Sequence, residues 1–251
     1  MGLDDASLTS LAVLGDELRR RMFDVIRREH RPLTREEVAA RVGISRKLAA
    51  FHLDKLVAAG LLRSHYASPS GIRKVGRHPK LYEPAAEAIE VSVPERRFQL
   101  LADLLAEAVL SEAPGESAHD AAVRVAGERG RNIGAAERVR ARPGRLGAER
   151  GLSLAIESLD GLGFEPERST PTLVLLRNCP FHPLAAKTPE LVCDINQAFL
   201  AGYLQGLGSD ATDAVLAPHP GRCCVELRAR ASATGGDGSE AACDRRLENQ
   251  Q

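Results

Sequence analysis

The chain has 251 residues, 43% of them apolar and 27% charged, with 34 basic side chains balancing 34 acidic ones. This composition excludes a wholly disordered chain, and the length suits two ordinary domains. No apolar run approaches the roughly 20 residues that cross a bilayer, and the opening MGLDDASLTS carries acids where a secretory leader carries bases, so a cytoplasmic protein with no membrane partner is expected.

The neutral total hides a local excess. From Gly43 to Tyr82 the sequence holds eight bases (Arg46, Lys47, Lys55, Arg63, Arg73, Lys74, Arg77 and Lys80) against one acid, Asp54. Such a segment suits an anionic partner.

In chain order, DELRRRMFDVIRRE repeats Leu18, Met22, Val25 and Ile26 at helical spacing with arginines opposite, an amphipathic helix. PLTREEVAARVGIS offers Thr34 as N-cap with Glu37 three residues on, a capping box, and Gly43 as the stop. ISRKLAAFHLDKLVAAGLL opens on Ser45 as the next cap and runs Leu48, Phe51, Leu53, Leu56 and Val57 along an apolar side to Gly60. Only a Gly-Ile turn separates these two helices. A short helix, a tight turn and a second helix with basic exposed residues form the helix-turn-helix arrangement, whose second helix enters the major groove.

LLRSHYASPSGIRKVGRHPKLYEP then reads as a hairpin wing, with Arg73, Lys74, Arg77, His78 and Lys80 placed for phosphate contact or, on the bland alternative, forming a solvated charged loop. Pro94 closes this module. ERRFQLLADLLAEAVL follows with Phe98, Leu101, Leu104, Leu105 and Ala108 in one stripe, a dimerisation helix or one that packs on its own second domain.

Beyond Pro114 come two helical stretches, a strand in TPTLVLLRNCPF, a long helix in TPELVCDINQAFLAGYLQGL capped by Thr188, and two strands in DAVLAPHPGRCCVELRA broken between Pro218 and Gly221. The fold class is therefore α+β: a winged helix-turn-helix domain over 1–93, a linker or dimerisation helix over 94–113, a cysteine-containing α+β sensor domain over 114–230, and a disordered tail over 231–251 that includes Cys243.

GISRKLAAFHLDKLVAAGLL resembles the recognition helix of ArsR-like winged-helix transcriptional regulators, and GRHPKLYEP resembles the end of their wing; the likeness spans Asp16 to Pro84. NCPFHPLA, PELVCDIN and PGRCCVEL are similar, on three cysteine positions, to the iron–sulfur-sensing SufR branch of these regulators. The resemblance implies a homodimeric repressor of a double-stranded DNA operator, with an iron–sulfur cluster on C-terminal cysteines controlling it. The recognition helix itself carries no cysteine, so the thiol metal site that some relatives place there is absent.

Ser45, Arg46, Lys47 and Ala49 are then expected to face base edges, with Thr34 and His52 completing the DNA-facing set and the wing residues touching backbone or minor groove. His52 also suits a structural role beside Leu53.

Among the cysteines, thiolates select iron–sulfur clusters or zinc over oxygen-loving cations. Cys179 and His182 stand as C-x2-H, with Cys193 and the Cys223–Cys224 pair further on; this spacing matches neither a zinc knuckle nor a ferredoxin run. All sit at element ends, where side chains converge. Cys223 shares a strand face with Val225 and Leu227, and Cys224 shares the other with Glu226 and Arg228. Cys179, Cys193 and Cys223 are the expected ligands, with Cys224 or His182 as the fourth. The alternatives are buried thiols acting as small hydrophobes, a structural zinc, or cysteines that merely support a pocket for an apolar effector. An enzyme is not expected, since the sequence carries no Cys-x-x-Cys, glycine-rich phosphate loop or Gly-x-Ser-x-Gly elbow.

Overall fold

A computed structural model describes residues 5–66, 78–85 and 91–230, with side chains from Leu8 onward. The chain divides into two compact units between Arg97 and Phe98. Both mix helix with a small antiparallel sheet. The wing arginines and lysine, Arg73, Lys74 and Arg77, and the tail 231–251 lie outside the described residues.

In the first unit the order is α1 (Asp5–Leu14), α2 (Glu17–Arg28), β1 (Leu33–Thr34), α3 (Arg35–Val42), α4 (Arg46–Ala58), β2 (Leu62–Tyr66) and β3 (Lys80–Pro84). The caps follow the sequence. Asp16 accepts from the Arg19 N–H at 2.9 Å to open α2. Thr34 Oγ1 accepts from the Glu37 N–H at 3.2 Å while Glu37 Oε2 accepts from the Thr34 N–H at 2.7 Å, a complete capping box. Gly43 ends α3 at φ +77°, a left-handed conformation that favours glycine. Met22, Ile26, Leu33, Val38, Leu53, Leu56 and Tyr82 fill the core. β3 pairs antiparallel with both β1 and β2, with Ser64 opposite Tyr82 in the β2 register.

Helix α4 corrects one expectation. Leu48 and Phe51 stand outside the core, 40% and 55% exposed, because the buried stripe runs Ala49, His52, Leu53 and Leu56, at spacings of three and four. Helix α1 has no counterpart among the elements expected from the sequence.

The second unit runs α5 (Phe98–Leu110), α6 (Ala118–Ala141), α7 (Ala148–Asp160), β4 (Pro166–Thr170), β5 (Leu173–Leu176), α8 (Leu184–Lys187), α9 (Pro189–Leu207), β6 (Thr212–Leu216) and β7 (Val225–Ala229). Its sheet is antiparallel in the order β4-β5-β7-β6. Of the α5 stripe, Leu101, Leu104 and Ala108 are buried in this unit's core with Val125 and Phe199 and Leu105 packs against it, whereas Phe98 is 36% exposed.

Helices α6 and α9 approach backbone to backbone. A Cβ on Gly130 would fall 2.0 Å from the Phe199 carbonyl oxygen, and one on Gly202 would fall 2.1 Å from that of Gly127. Glycine is therefore required by packing at this crossing. Thr188 precedes α9 without capping it; its hydroxyl donates instead to the Leu184 carbonyl at 3.3 Å, because the residue sits directly after α8.

Candidate functional site

Two sites were expected, and each lies within one unit. In the first, Ser45 Oγ accepts from the Leu48 N–H at 3.2 Å and starts α4 with its open N–H groups beside Arg46 and Lys47. Ser45, Arg46 and Lys47 lie on the accessible side of this helix start, and Leu48, Phe51, Asp54 and Lys55 are exposed after them. By helical spacing Lys47, Leu48, Phe51 and Lys55 form one continuous face. The Lys55 ammonium lies 5.8 Å from the Phe51 ring centroid, within cation–π range.

The expected base contact of Ala49 is corrected, and of the two roles open to His52 its burial favours the structural one. Ala49 is fully buried and His52 is 8% exposed, so both belong to the stripe that holds α4 onto its own unit. His52 stands edge-on to Phe51 at 5.2 Å between centroids, which makes it a support for the exposed ring. Thr34 is half-buried, with its hydroxyl engaged in the α3 capping box.

From β3, Lys80 donates to Asp54 at 3.1 Å and lies over the Tyr82 ring at 5.2 Å. Burial is the largest single influence and pulls the lysine pKa down, but the hydrogen bond with Asp54 and the interactions with Asp54 and Tyr82 together outweigh it and the net shift is upward, so Lys80 stays charged. The same region opens a hollow of about 420 Å³ lined by Arg35, Glu36, Tyr66, His78, Lys80 and Tyr82. His78 and Lys80 are thus brought together on its wall.

The second site assembles from three separated segments. After β5 the chain turns at Asn178, whose buried Nδ2 donates to the Gly163 carbonyl at 2.6 Å and fixes the approach to Cys179. The Cys223 N–H donates to the Leu176 carbonyl at 2.9 Å, which sets Cys223 beside the end of β5. Cys193 and Asn196 lie three residues apart on α9 and share a helix face. The Asn196 amide donates to Cys223 Sγ at 3.1 Å.

The sulfurs lie near enough to shift one another's ionisation in series, Cys179 with Cys223, Cys223 with Cys224, and Cys224 with Cys193. None of the four is in a disulfide. The hydrogen bond with Cys223, reinforced by burial, pushes the Cys179 thiol well above its ordinary range. For Cys223 the Cys179 contact acts downward, yet the Cys224 contact and burial prevail and the thiol is pushed up to about 12. Burial raises Cys193 as well. Without a bound metal these three groups are therefore neutral thiols near pH 7.

A pocket of about 350 Å³ opens onto this cluster, walled by Cys179, His182, Cys193, His219, Arg222 and Cys224. His219, in a Pro-His-Pro turn with no readable role in the sequence, is placed there by the fold. In the observed pairwise arrangement no group of three or more His, Cys, Asp or Glu side chains among the described residues could hold a metal ion. The donor chemistry nonetheless suits a thiophilic group: four thiols, two histidines at the wall, and an amide N–H aimed at a sulfur.

Residues 14–65 match the model of a helix-turn-helix domain family. That stretch contains α2 to α4 and most of β2, and a helix-turn-helix domain points to a DNA-binding transcription regulator. No curated protein matches the chain. Among the described residues no helix is long and apolar enough to cross a membrane.

Proposed function

We propose that the protein is a homodimeric transcriptional repressor that binds an operator through α4 and responds to an iron–sulfur cluster held in its second unit. The observation that carries the reading is the convergence of Cys179, Cys193, Cys223 and Cys224 from three chain segments beside one pocket. The resemblance to ArsR-like regulators and their SufR branch supports repression and homodimeric binding, and it supports a cluster over the other thiophilic groups.

Cys179, Cys193 and Cys223 would hold the cluster, with Cys224 or His182 as fourth ligand. Bound there, a cluster supplies sensitivity to oxidants and to iron supply. The chain's own residues do the rest. The Asn196 amide, together with the backbone N–H groups of Phe181 and His182 at Cys179 and of Val225 at Cys223, favours the thiolate forms that binding requires. On the first unit, Ser45, Arg46 and Lys47 would meet the major groove, and His78 and Lys80 would flank it with Arg73, Lys74 and Arg77.

The test is anaerobic purification followed by iron, sulfide and zinc analysis, repeated on Cys179→Ser, with duplex binding measured at two salt concentrations. Matched iron and sulfide in the wild type, lost in the variant, support the reading. Zinc without sulfide would replace the cluster by a structural zinc site, built on cysteine alone or on cysteine with one histidine. Metal-free protein would reduce the cysteines to small core residues, and binding that is indifferent to salt would remove the DNA-binding half.

A further inference from the structure

We infer that Leu48 and Phe51 form an apolar reader on α4 that recognises the C5-methyl groups of thymine in the operator; this rests on the DNA-binding reading above.

The observations start from cost. A phenylalanine 55% exposed and a leucine 40% exposed stand side by side at i and i+3 on a helix that already buries Ala49, Leu53 and Leu56. The core does not need them, so their apolar area is left in water, an unfavourable placement that an occupant would relieve.

The surroundings define that occupant. Arg46 and Lys47 precede the pair at the helix N-terminus, and Lys55 follows it one turn on, with its ammonium at the Phe51 ring. An apolar partner with no charge of its own would leave these cations unmatched, whereas a duplex offers phosphates to the cations and, in the major groove, one exposed apolar group: the thymine methyl. Asp54, the one acid on this face, pairs with Lys80 at 3.1 Å, which offsets its charge toward the phosphates. His52 stands edge-on to Phe51, with the ring centroids 5.2 Å apart.

The consequence is a chemical signature that polar base readers lack. Removing a methyl from a thymine that Phe51 or Leu48 touches should weaken binding about fourfold, the value of one buried methyl-sized group. Hydrogen bonds to O4 would be untouched by that change.

The experiment uses the full chain. Duplexes are selected from a randomised pool, and each thymine of the selected site is replaced in turn by deoxyuridine. Binding is measured for wild type, Phe51→Ala, Leu48→Ala and Phe51→Leu, with thermal melts confirming that each variant folds. The expected result is a loss of about fourfold at one or two thymines in the wild type, abolished in Phe51→Ala or Leu48→Ala and retained in Phe51→Leu. Overturning results are a selected site with no deoxyuridine effect, or the same effect in all four proteins. A Phe51→Ala change that dissociates the oligomer while leaving thymine dependence intact would also overturn it, by assigning the face to a second copy of the chain. If no duplex is retained even at low salt, the DNA-binding reading fails first, and this inference falls with it.

Discussion

The side-chain amide of Asn196 donates to Cys223 Sγ at 3.1 Å while Asn196 itself is 0% exposed. A fully buried amide is tolerated only when its hydrogen bonds are worth having, and this one points a donor at sulfur. Asn196→Leu keeps the volume and removes the donor. The metal-free fold should change by no more than about 1 kcal/mol, since one modest hydrogen bond is exchanged for apolar packing. If the proposed cluster is bound there, it should be lost to air several-fold faster in the variant, read from the decay of visible absorption. Equal decay in both proteins would show that the amide serves packing alone.

Cys193 and Cys224 wall the pocket, whereas Cys223 lies behind it at 2% exposure. Cys179, Cys193 and Cys223 are all held as neutral thiols, so loading the site must release protons. Metal uptake by the stripped protein should therefore weaken as pH is lowered from about 8 to about 6, with proton release visible in calorimetry run in buffers of different ionisation enthalpy. Uptake independent of pH would contradict neutral thiols.

The capping box of α3 gives a stability prediction at acid pH. The Arg31 hydrogen bond, followed by the Thr34 N–H, holds the Glu37 carboxyl down to about 2 from an ordinary 4.5. Because the folded pKa is depressed, the stability this group contributes is present above pH 4.5 and is lost as pH falls toward 2. Glu37→Gln should lower the melting temperature of the first unit at pH 7, and the gap from wild type should close near pH 2. Circular dichroism melts at the two pH values check this.

Gly202 faces the Gly127 carbonyl with no room for a methyl group, whereas Gly161, at φ −66°, would meet nothing closer than 3.5 Å. Gly202→Ala must push α6 and α9 apart and should cost about 3 kcal/mol. Gly161→Ala should be neutral or stabilising by about 0.5 kcal/mol, through a less flexible unfolded chain. Denaturant titrations of the two variants would separate a packing requirement from a general intolerance of side chains.

What the sequence disclosed follows from how local each signal is. The caps at Thr34 and Ser45 are legible because a cap is settled within four residues, and so is the helix-turn-helix around Gly43. The exposed face of α4 is not, since Leu48 and Phe51 are apolar and join a helical pattern as readily as Leu53 does; only the position of the core shows which stripe is buried. Ala49 shares that ambiguity. β4, with the sequence PERST, lies at the sheet edge and carries no apolar alternation to announce it. The cysteines could be placed at element ends, but the pairing of Cys179 with Cys223, and the presence of His219 in the same wall, depend on segments tens of residues apart. Likewise the glycines of α6 and α9 have no meaning until the two helices cross.

The proposed coupling of the two sites is tested most directly by one comparison: the affinity of a single anaerobic preparation for its selected duplex, before and after chelation of any metal it carries. Coupling of the usual allosteric size would separate the two affinities by roughly 5-fold to 150-fold, with restoration on reconstitution. Identical affinities for the loaded and stripped protein would leave a DNA-binding chain whose cysteines do not govern it.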